Sequence, residues 1–203
     1  MTERRNFDAA AAAWDEEPRR VKLAGEIAAA ISAALPLSAA LDALDFGCGT
    51  GLVTLRLAPY LGSIVGVDSS QGMVDRLNAK IQALGCTNAR ALRLDLEKDE
   101  LPEGRFHLIA SAMTLHHILE VVPLKLLRGL LHPGGWIALA DLDAEDGSFH
   151  DDLTGVFHYG FNRESMEFML RTAGFKEIVF CEAIRTVKGK QVYPVNPTIA
   201  RVS

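Results

Sequence analysis

This 203-residue chain has only three cysteines, two tryptophans and three tyrosines, and it carries no excess of basic residues. Cys48, Cys86 and Cys181 are odd in number, far apart and never in CxxC spacing. That pattern excludes a disulfide framework or a cysteine zinc site and suits reduced thiols, so a cytoplasmic address is expected. Acidic residues outnumber basic ones, 26 to 21, for a net charge of −5. A nucleic-acid binder would normally carry a basic stripe, so no nucleic-acid partner is expected. Basic pairs occur at Arg4-Arg5 and Arg19-Arg20, but Asp15, Glu16 and Glu17 dilute the second, and the reading is a solvated helix face. No stretch reaches the roughly 20 apolar residues of a membrane span. The alanine run from Ala9 to Ala13 is too short for a signal sequence and lies between Asp8 and Asp15. No membrane partner is therefore expected. Hydrophobic residues at 49% and charged residues at 23% give an ordinary globular balance.

The richest stretch is Leu44-Asp45-Phe46-Gly47-Cys48-Gly49-Thr50-Gly51-Leu52. An apolar run from Leu41 to Phe46 reads as a buried strand, and a helical pattern follows from Leu52. The three glycines between them suit a backbone that needs positive φ, or a ligand lying against bare main chain. A strand, a glycine turn and a helix start make a nucleotide-sized cradle at the carboxyl edge of a parallel sheet.

Alternating apolar runs and amphipathic segments predict strands at Leu41–Phe46, Ser63–Val67, Ala89–Leu94, Phe106–Ala110, Gly135–Leu142, Lys176–Cys181 and Gln191–Ala200. Helices are predicted at Val21–Leu35, Leu52–Tyr60, Ser70–Leu84, Leu115–Leu131 and Arg163–Ala173. The last has Asn162 as N-cap and Gly174 beyond its end. The final two strands have no helix between them and should form an antiparallel hairpin, with Lys188-Gly189-Lys190 as the turn. The expected fold is α/β: a doubly wound, Rossmann-like seven-stranded sheet, mostly parallel, with helices on both faces. One domain over residues 1–203 is expected. Residues 1–36 form its lid and helix region, and 37–203 its cofactor-binding core, with an acceptor-side insert at about 143–162.

Three predicted strands end in acids. No Gly-Lys-Ser/Thr follows the glycines, which excludes a P-loop, and Leu52 stands where a dinucleotide fingerprint needs its third glycine. Asp45, just before the first glycine, would repel a pyrophosphate but attract an ammonium. Asp68 is placed to hold a ribose diol, and Asp95 to accept from an exocyclic adenine amine. These positions suit a cationic nucleoside without phosphate.

Those residues resemble the class I S-adenosylmethionine-dependent methyltransferases, from about Leu41 through the hairpin. Asp45 to Gly51 looks like the family's first motif, and Val65-Gly-Val-Asp68 with Ser69-Ser70-Gln71-Gly72-Met73 like its second. Leu94-Asp95-Leu96 matches the adenine-side acid, Phe106 to Met113 the fourth-strand motif, and Leu131 to Trp136 the turn into the fifth strand. The resemblance implies S-adenosyl-L-methionine as cofactor. Gly47, Cys48, Gly49, Thr50 and Gly51 would then pass beneath it. Asp45 would face its amino-acid end, and Asp68 and Ser69 its ribose. Met73, Asp95 and Leu96 would line the adenine, and Ser111 and Ala112 the methionine portion. Trp14 is a candidate flap residue, and equally an apolar anchor for the first helix.

Methyl transfer needs alignment more than a nucleophile. His116 and His117 follow the fourth strand on the face where an acceptor would enter, and each is a candidate base, or else a polar residue at a helix start. His150, His158 and Tyr159 in the insert are candidate acceptor contacts. His116, His117, His150, His158, Asp141 and Asp143 lack recognisable ligand spacing, so no metal is expected. The favoured expectation is methyl transfer to a small molecule. A non-catalytic cofactor-binding regulator, an aminopropyl transferase and a nicotinamide-dependent dehydrogenase remain open. The acceptor and the oligomeric state are left undetermined.

Overall fold

The computed structural model describes residues 5–95, 99, 104–119 and 122–203. Its elements are α1 (Phe7–Ala10), α2 (Pro18–Ala34), β1 (Asp42–Phe46), α3 (Thr54–Leu57), β2 (Ser63–Asp68), α4 (Gln71–Ala83), β3 (Ala89–Arg93) and β4 (Phe106–Ala112). They continue with α5 (Val122–Gly129), β5 (Leu131–Leu142), α6 (Arg163–Thr172), β6 (Lys176–Phe180), β7 (Ile184–Lys188) and β8 (Gln191–Arg201). Single 3₁₀ segments span Ala11–Glu16, Ala58–Tyr60 and Leu115–His117.

The strands form one sheet in the order β3-β2-β1-β4-β5-β8-β6, with β7 also paired to β8. The first five are mutually parallel, and β8 runs antiparallel to β5, β6 and β7. The doubly wound sheet with an antiparallel end is as expected, but among the described residues it has eight strands rather than seven. The extra strand is β7, in a stretch expected to be a loop. Its exposed Arg185 and Val187 alternate with buried Thr186, and the chain reverses at Gly189 with φ +61°. The tight hairpin therefore joins β7 to β8, whereas β6 pairs with β8 across a longer connection.

Side-chain alternation on the strands builds two cores. Ala43, Ile64, Leu108, Ala138 and Ala140 face Leu23, Ile27 and Ile31 of α2. Leu44, Val65, Ile109, Ile137 and Leu139 face Leu124 and Leu127 of α5 and Met166 and Leu170 of α6. Strands covered on both sides have no polar face, which is why they read as continuous apolar runs. Asn162 accepts from the Ser165 amide at 2.8 Å, and Gly174 follows α6 with φ +91°. The predicted helix Leu115–Leu131 is instead a 3₁₀ turn followed by the shorter α5. Thr114 makes no cap there; its hydroxyl donates toward the carbonyls of Ala112 and Gly47.

The glycine turn shows what its residues are for. Gly51 has φ +82°, and a Cβ there would stand 2.1 Å from Cδ1 of Leu77, a fully buried residue of α4. Gly49 has φ +52°, but a Cβ there would meet nothing within 4 Å. Gly51→Ala is therefore expected to cost roughly 2–4 kcal/mol in urea denaturation, from a left-handed alanine together with a displaced core leucine. Gly49→Ala should cost about 1 kcal/mol, from backbone conformation alone. Equal losses would remove the packing role assigned to Gly51.

Candidate functional site

A cavity of about 380 Å³ opens at the carboxyl ends of β1, β2 and β4, beneath the N-terminal segment. The parallel register sets its acids in a row, with Asp45 beside Gly66 and Ala110, and Asp68 beside Arg93. Asp45, Asp68 and Asp95 all line the cavity. Asp45 is 1% exposed and accepts from the Thr54 hydroxyl. Burial pushes its pKa up to about 6, and the charge of Asp68 adds to the rise against the bond from Thr54. Asp68 accepts from the amides of Gly49 and Ser70, each at 2.9 Å, and burial outweighs these bonds to raise its pKa as well. This pair of acids repels further negative charge and would gain from an ammonium.

Gly47, Cys48, Gly49, Thr50, Ser69, Met73, Ala112 and Trp14 also line the cavity. Burial, with the nearby charges of Asp45 and Asp68, raises the Cys48 pKa and keeps its thiol protonated. Gly51 and Ser111 are not on the wall. Gly51 packs on Leu77, and Ser111 donates to the Phe46 carbonyl at 2.8 Å, tying the ends of β1 and β4 together. Leu96 lies outside the described residues.

The N-terminal segment is fastened over this wall. The Asp8 carboxylate accepts from the Ser70 hydroxyl at 2.6 Å and the Gly72 amide at 2.8 Å, at the start of α4. Those two bonds lower its pKa. Asp15 accepts from the Thr50 hydroxyl and from Lys80 at 2.7 Å. Trp14 then lies edge-on to Phe7, with ring centroids 5.9 Å apart, and Phe7 meets His117 in the same manner at 5.0 Å. Neither Asp8 nor Asp15 stood out in the sequence, since a single acid near a chain start carries no local signal of a contact over 60 residues away.

A histidine cluster lines the same cavity. Met113 leaves β4 with φ +54°, a conformation costly for methionine, and the chain turns so that His116 is only 2% exposed. Its Nδ1 lies 2.6 Å from the Asp141 carboxylate at the end of β5, and its amide donates to the same carboxylate at 3.3 Å. Burial alone would raise the Asp141 pKa. The charge and hydrogen bonds of His116, with the Leu142 amide, more than offset that, and Asp141 stays ionised. An ionised carboxylate only accepts, so His116 donates through Nδ1, and in the neutral ring Nε2 holds the lone pair.

His117 donates through Nδ1 to the Gly155 carbonyl at 2.7 Å. Burial and the neighbouring His116 charge depress its pKa to about 3, and the same two causes bring His150 to about 4. All three imidazoles line the cavity, and the buried Nε2 of His150 has no hydrogen-bond partner among the described residues. His158 and Tyr159 do not line it. His158 donates from Nε2 to the Ile118 carbonyl at 3.0 Å and packs on Phe161, while Tyr159 is 45% exposed with its ring over Gly147. His158 ties the insert to 116–118, and Tyr159 packs within it. Asp141 was considered only as a metal ligand in the sequence; the structure makes it the partner of His116. Among the described residues no group of three or more histidines, cysteines or acids has the geometry of a metal site. The Arg19-Arg20 pair, expected on a solvated face, instead lines the cavity together with Arg5.

The site is thus a cavity at the carboxyl edge of an α/β sheet, lined by a glycine turn and a row of acids. Residues 43–135 match the family of methyltransferase domains. An uncharacterized methyltransferase of Schizosaccharomyces pombe is 38% identical over 133 residues, 58% of this chain and 46% of that protein. The chain spans about half the length, or less, of the curated relatives it matches. Among solved structures, a SAM-dependent methyltransferase from Aquifex aeolicus superposes with TM-score 0.73 at 20% identity, over 97% of this chain and 98% of that one. Phosphoethanolamine N-methyltransferase 2 of Haemonchus contortus, in complex with S-adenosyl-L-methionine, gives 0.72 at 17% identity over 87% and 52%. The chain thus carries a methyltransferase domain over residues 43–135 and has the fold of these S-adenosylmethionine-dependent methyltransferases. Among the described residues, no helix is long and apolar enough to cross a membrane.

Proposed function

We propose that this chain transfers the methyl group of S-adenosyl-L-methionine to a small-molecule acceptor. The observation that carries the reading is the cavity itself, lined by Asp45, Asp68 and Asp95 and by His116, whose Nδ1 is bonded to Asp141 behind it. The buried acids and the open side of Gly49 fit a sulfonium nucleoside and disfavour a diphosphate. When bound, the cofactor supplies an activated methyl carbon for in-line displacement.

The chain's own residues then hold, align and deprotonate. Asp68 takes the ribose hydroxyls, with Ser69 alongside. Met73 and Asp95 face the adenine, Gly47 to Thr50 run beneath the ligand, and Asp45 faces the ammonium. Phe7 and Trp14 cover the site and keep water out. His116 Nε2 receives the acceptor proton, because the ionised Asp141 stabilises the imidazolium that forms. His117 and His150, held neutral, are poor proton acceptors and instead offer hydrogen-bond acceptors to the acceptor molecule. A cavity of about 380 Å³ and a net charge of −5 favour a small acceptor over a nucleic acid.

The test is calorimetry with S-adenosylhomocysteine, followed by labelled methyl transfer to a panel of phenols, amines and thiols. Asp68→Ala is expected to weaken S-adenosylhomocysteine by at least ~1.5 kcal/mol, the scale of a charge-assisted hydrogen bond. Unchanged affinity would refute the site. Preference for NAD or for decarboxylated cofactor would move the chain to dehydrogenase or aminopropyl chemistry. Binding with no acceptor methylated would favour a regulator.

A further inference from the structure

Three arginines line the mouth of the cavity, and among the described residues none has a carboxylate within ion-pair distance. Arg5 lies over the ring of Phe7 at 5.6 Å, Arg19 over Phe149 at 5.0 Å, and Arg20 over Trp14 at 3.9 Å. All three are partly buried. Elsewhere on the surface arginines do find acids: Arg93 with Asp99, Arg171 with Glu167 and Arg201 with Glu177. The charges of Glu17, Asp151 and Asp152 reach them only at longer range, and three partly buried guanidinium groups together without a direct ion pair favour a ligand that supplies one. The crowding is visible in Arg20, whose pKa is lowered first by burial and then by the like charge of Arg19, with Arg5 contributing against the opposite pull of Glu17.

The cluster divides in two. Arg20 stacks on Trp14 and donates to its carbonyl at 3.3 Å, on the cofactor side. Arg19 and Arg5 look toward the insert, where Phe149 packs edge-on to His150 at 5.0 Å. Lys188 of β7 joins them, bonded to the Phe149 carbonyl at 2.7 Å and to Asp151 at 2.6 Å. The acids here are Asp151, engaged by Lys188, and Asp152, which accepts from the Thr154 amide at 2.9 Å. Among the described residues neither makes a direct ion pair with an arginine, so two guanidinium forks remain near His150 to receive an oxyanion.

We propose that the methyl acceptor carries an anionic group, a carboxylate or phosphate, which Arg5 and Arg19 bind at the cavity mouth while its nucleophile reaches the histidine cluster. Arginine suits this task because its fork pairs two oxygens at once, and the flat rings of Phe7 and Phe149 hold each fork in place. The proposal rests on the methyl-transfer reading only for the word acceptor; the anion site stands on the arginines alone.

The same charge chemistry has a second source in the cofactor's own carboxylate, and the experiment separates the two. Protein saturated with S-adenosylhomocysteine is titrated with benzoate, phenyl phosphate and inorganic phosphate, and with benzyl alcohol as the neutral match. At least one anion should bind at least about tenfold more tightly than benzyl alcohol. Arg19→Met and Arg5→Met should each reduce that binding about tenfold or more, while S-adenosylhomocysteine affinity, measured separately, stays at the wild-type value and reports an intact fold. Loss of S-adenosylhomocysteine affinity in both variants would assign the arginines to the cofactor and overturn the proposal. So would binding of no anion, or anion binding indifferent to both substitutions. Failure of S-adenosylhomocysteine to bind the wild-type protein would instead defeat the methyl-transfer reading, and the anion titrations on the free protein would still decide this one.

Discussion

His116→Gln should lower the rate of methyl transfer by about 10²–10⁴-fold with S-adenosylhomocysteine affinity unchanged, the range expected when a positioned general base is lost. The reason lies in how the fold treats two adjacent imidazoles differently. His116 faces an ionised, buried carboxylate, whereas His117 is held neutral by burial and the neighbouring His116 charge, which outweigh its bond to the Gly155 carbonyl. His117→Gln, the internal control, removes a hydrogen bond and a ring contact but no base. Its loss should stay within about tenfold. Asp141→Asn keeps the shape of the partner but withdraws the charge, so it should approach the effect of His116→Gln. The measurement is kcat for the acceptor identified by labelled methyl transfer. A full rate in His116→Gln would mean that the acceptor arrives already deprotonated, and the pair would be structural. Larger damage from His117 than from His116 would reverse the assignment.

Legibility from sequence followed the range of the interaction. Strands β1, β2 and β4 could be read because both faces are buried, and the glycine turn because its backbone demands glycine locally. The acids at successive strand ends needed only strand boundaries. The partnership of His116 with Asp141 was hidden because it depends on the register of β4 against β5. Ala112 lies opposite Ala140, so the residues after each strand meet, and no sequence spacing encodes that. Tertiary register likewise decides β7, an edge strand whose short alternation is too weak to distinguish from a polar turn. His158 and Tyr159 were drawn into the candidate set by residue type. The turn at Gly160, where a Cβ would stand 2.1 Å from the Asp143 carbonyl, closes the insert on itself; His158 bonds the Ile118 carbonyl and Tyr159 points outward. The Arg19-Arg20 pair read as solvated because acidic neighbours in sequence were assumed to be neighbours in space, yet α2 turns both side chains toward the cavity.

Asp45→Asn should move stability and binding in opposite directions, which separates a residue kept for its ligand from one kept for the fold. With its pKa raised to about 6 in the folded chain against 3.8 in the unfolded one, Asp45 contributes stability that is complete below pH 3.8 and lost as pH rises through about 6. At neutral pH the buried carboxylate therefore costs on the order of 2–3 kcal/mol relative to its neutral form. Asparagine cannot ionise and still accepts from Thr54, so the variant without ligand should melt several degrees higher at pH 7. At pH 4 the gap should close. Cofactor binding runs the other way. An ammonium favours the ionised carboxylate, so wild-type affinity for S-adenosylhomocysteine should fall as pH drops below about 6, by up to roughly tenfold per unit. Asp68, whose pKa is also raised, adds its own decline at lower pH. The variant should lose the inflection near pH 6 and bind at least about tenfold more weakly at pH 7. Calorimetry across pH 5 to 8, paired with thermal melts, measures both signs on the same protein. A variant that is both less stable and equally tight in binding would show that Asp45 serves the strand, and the ammonium would need another partner.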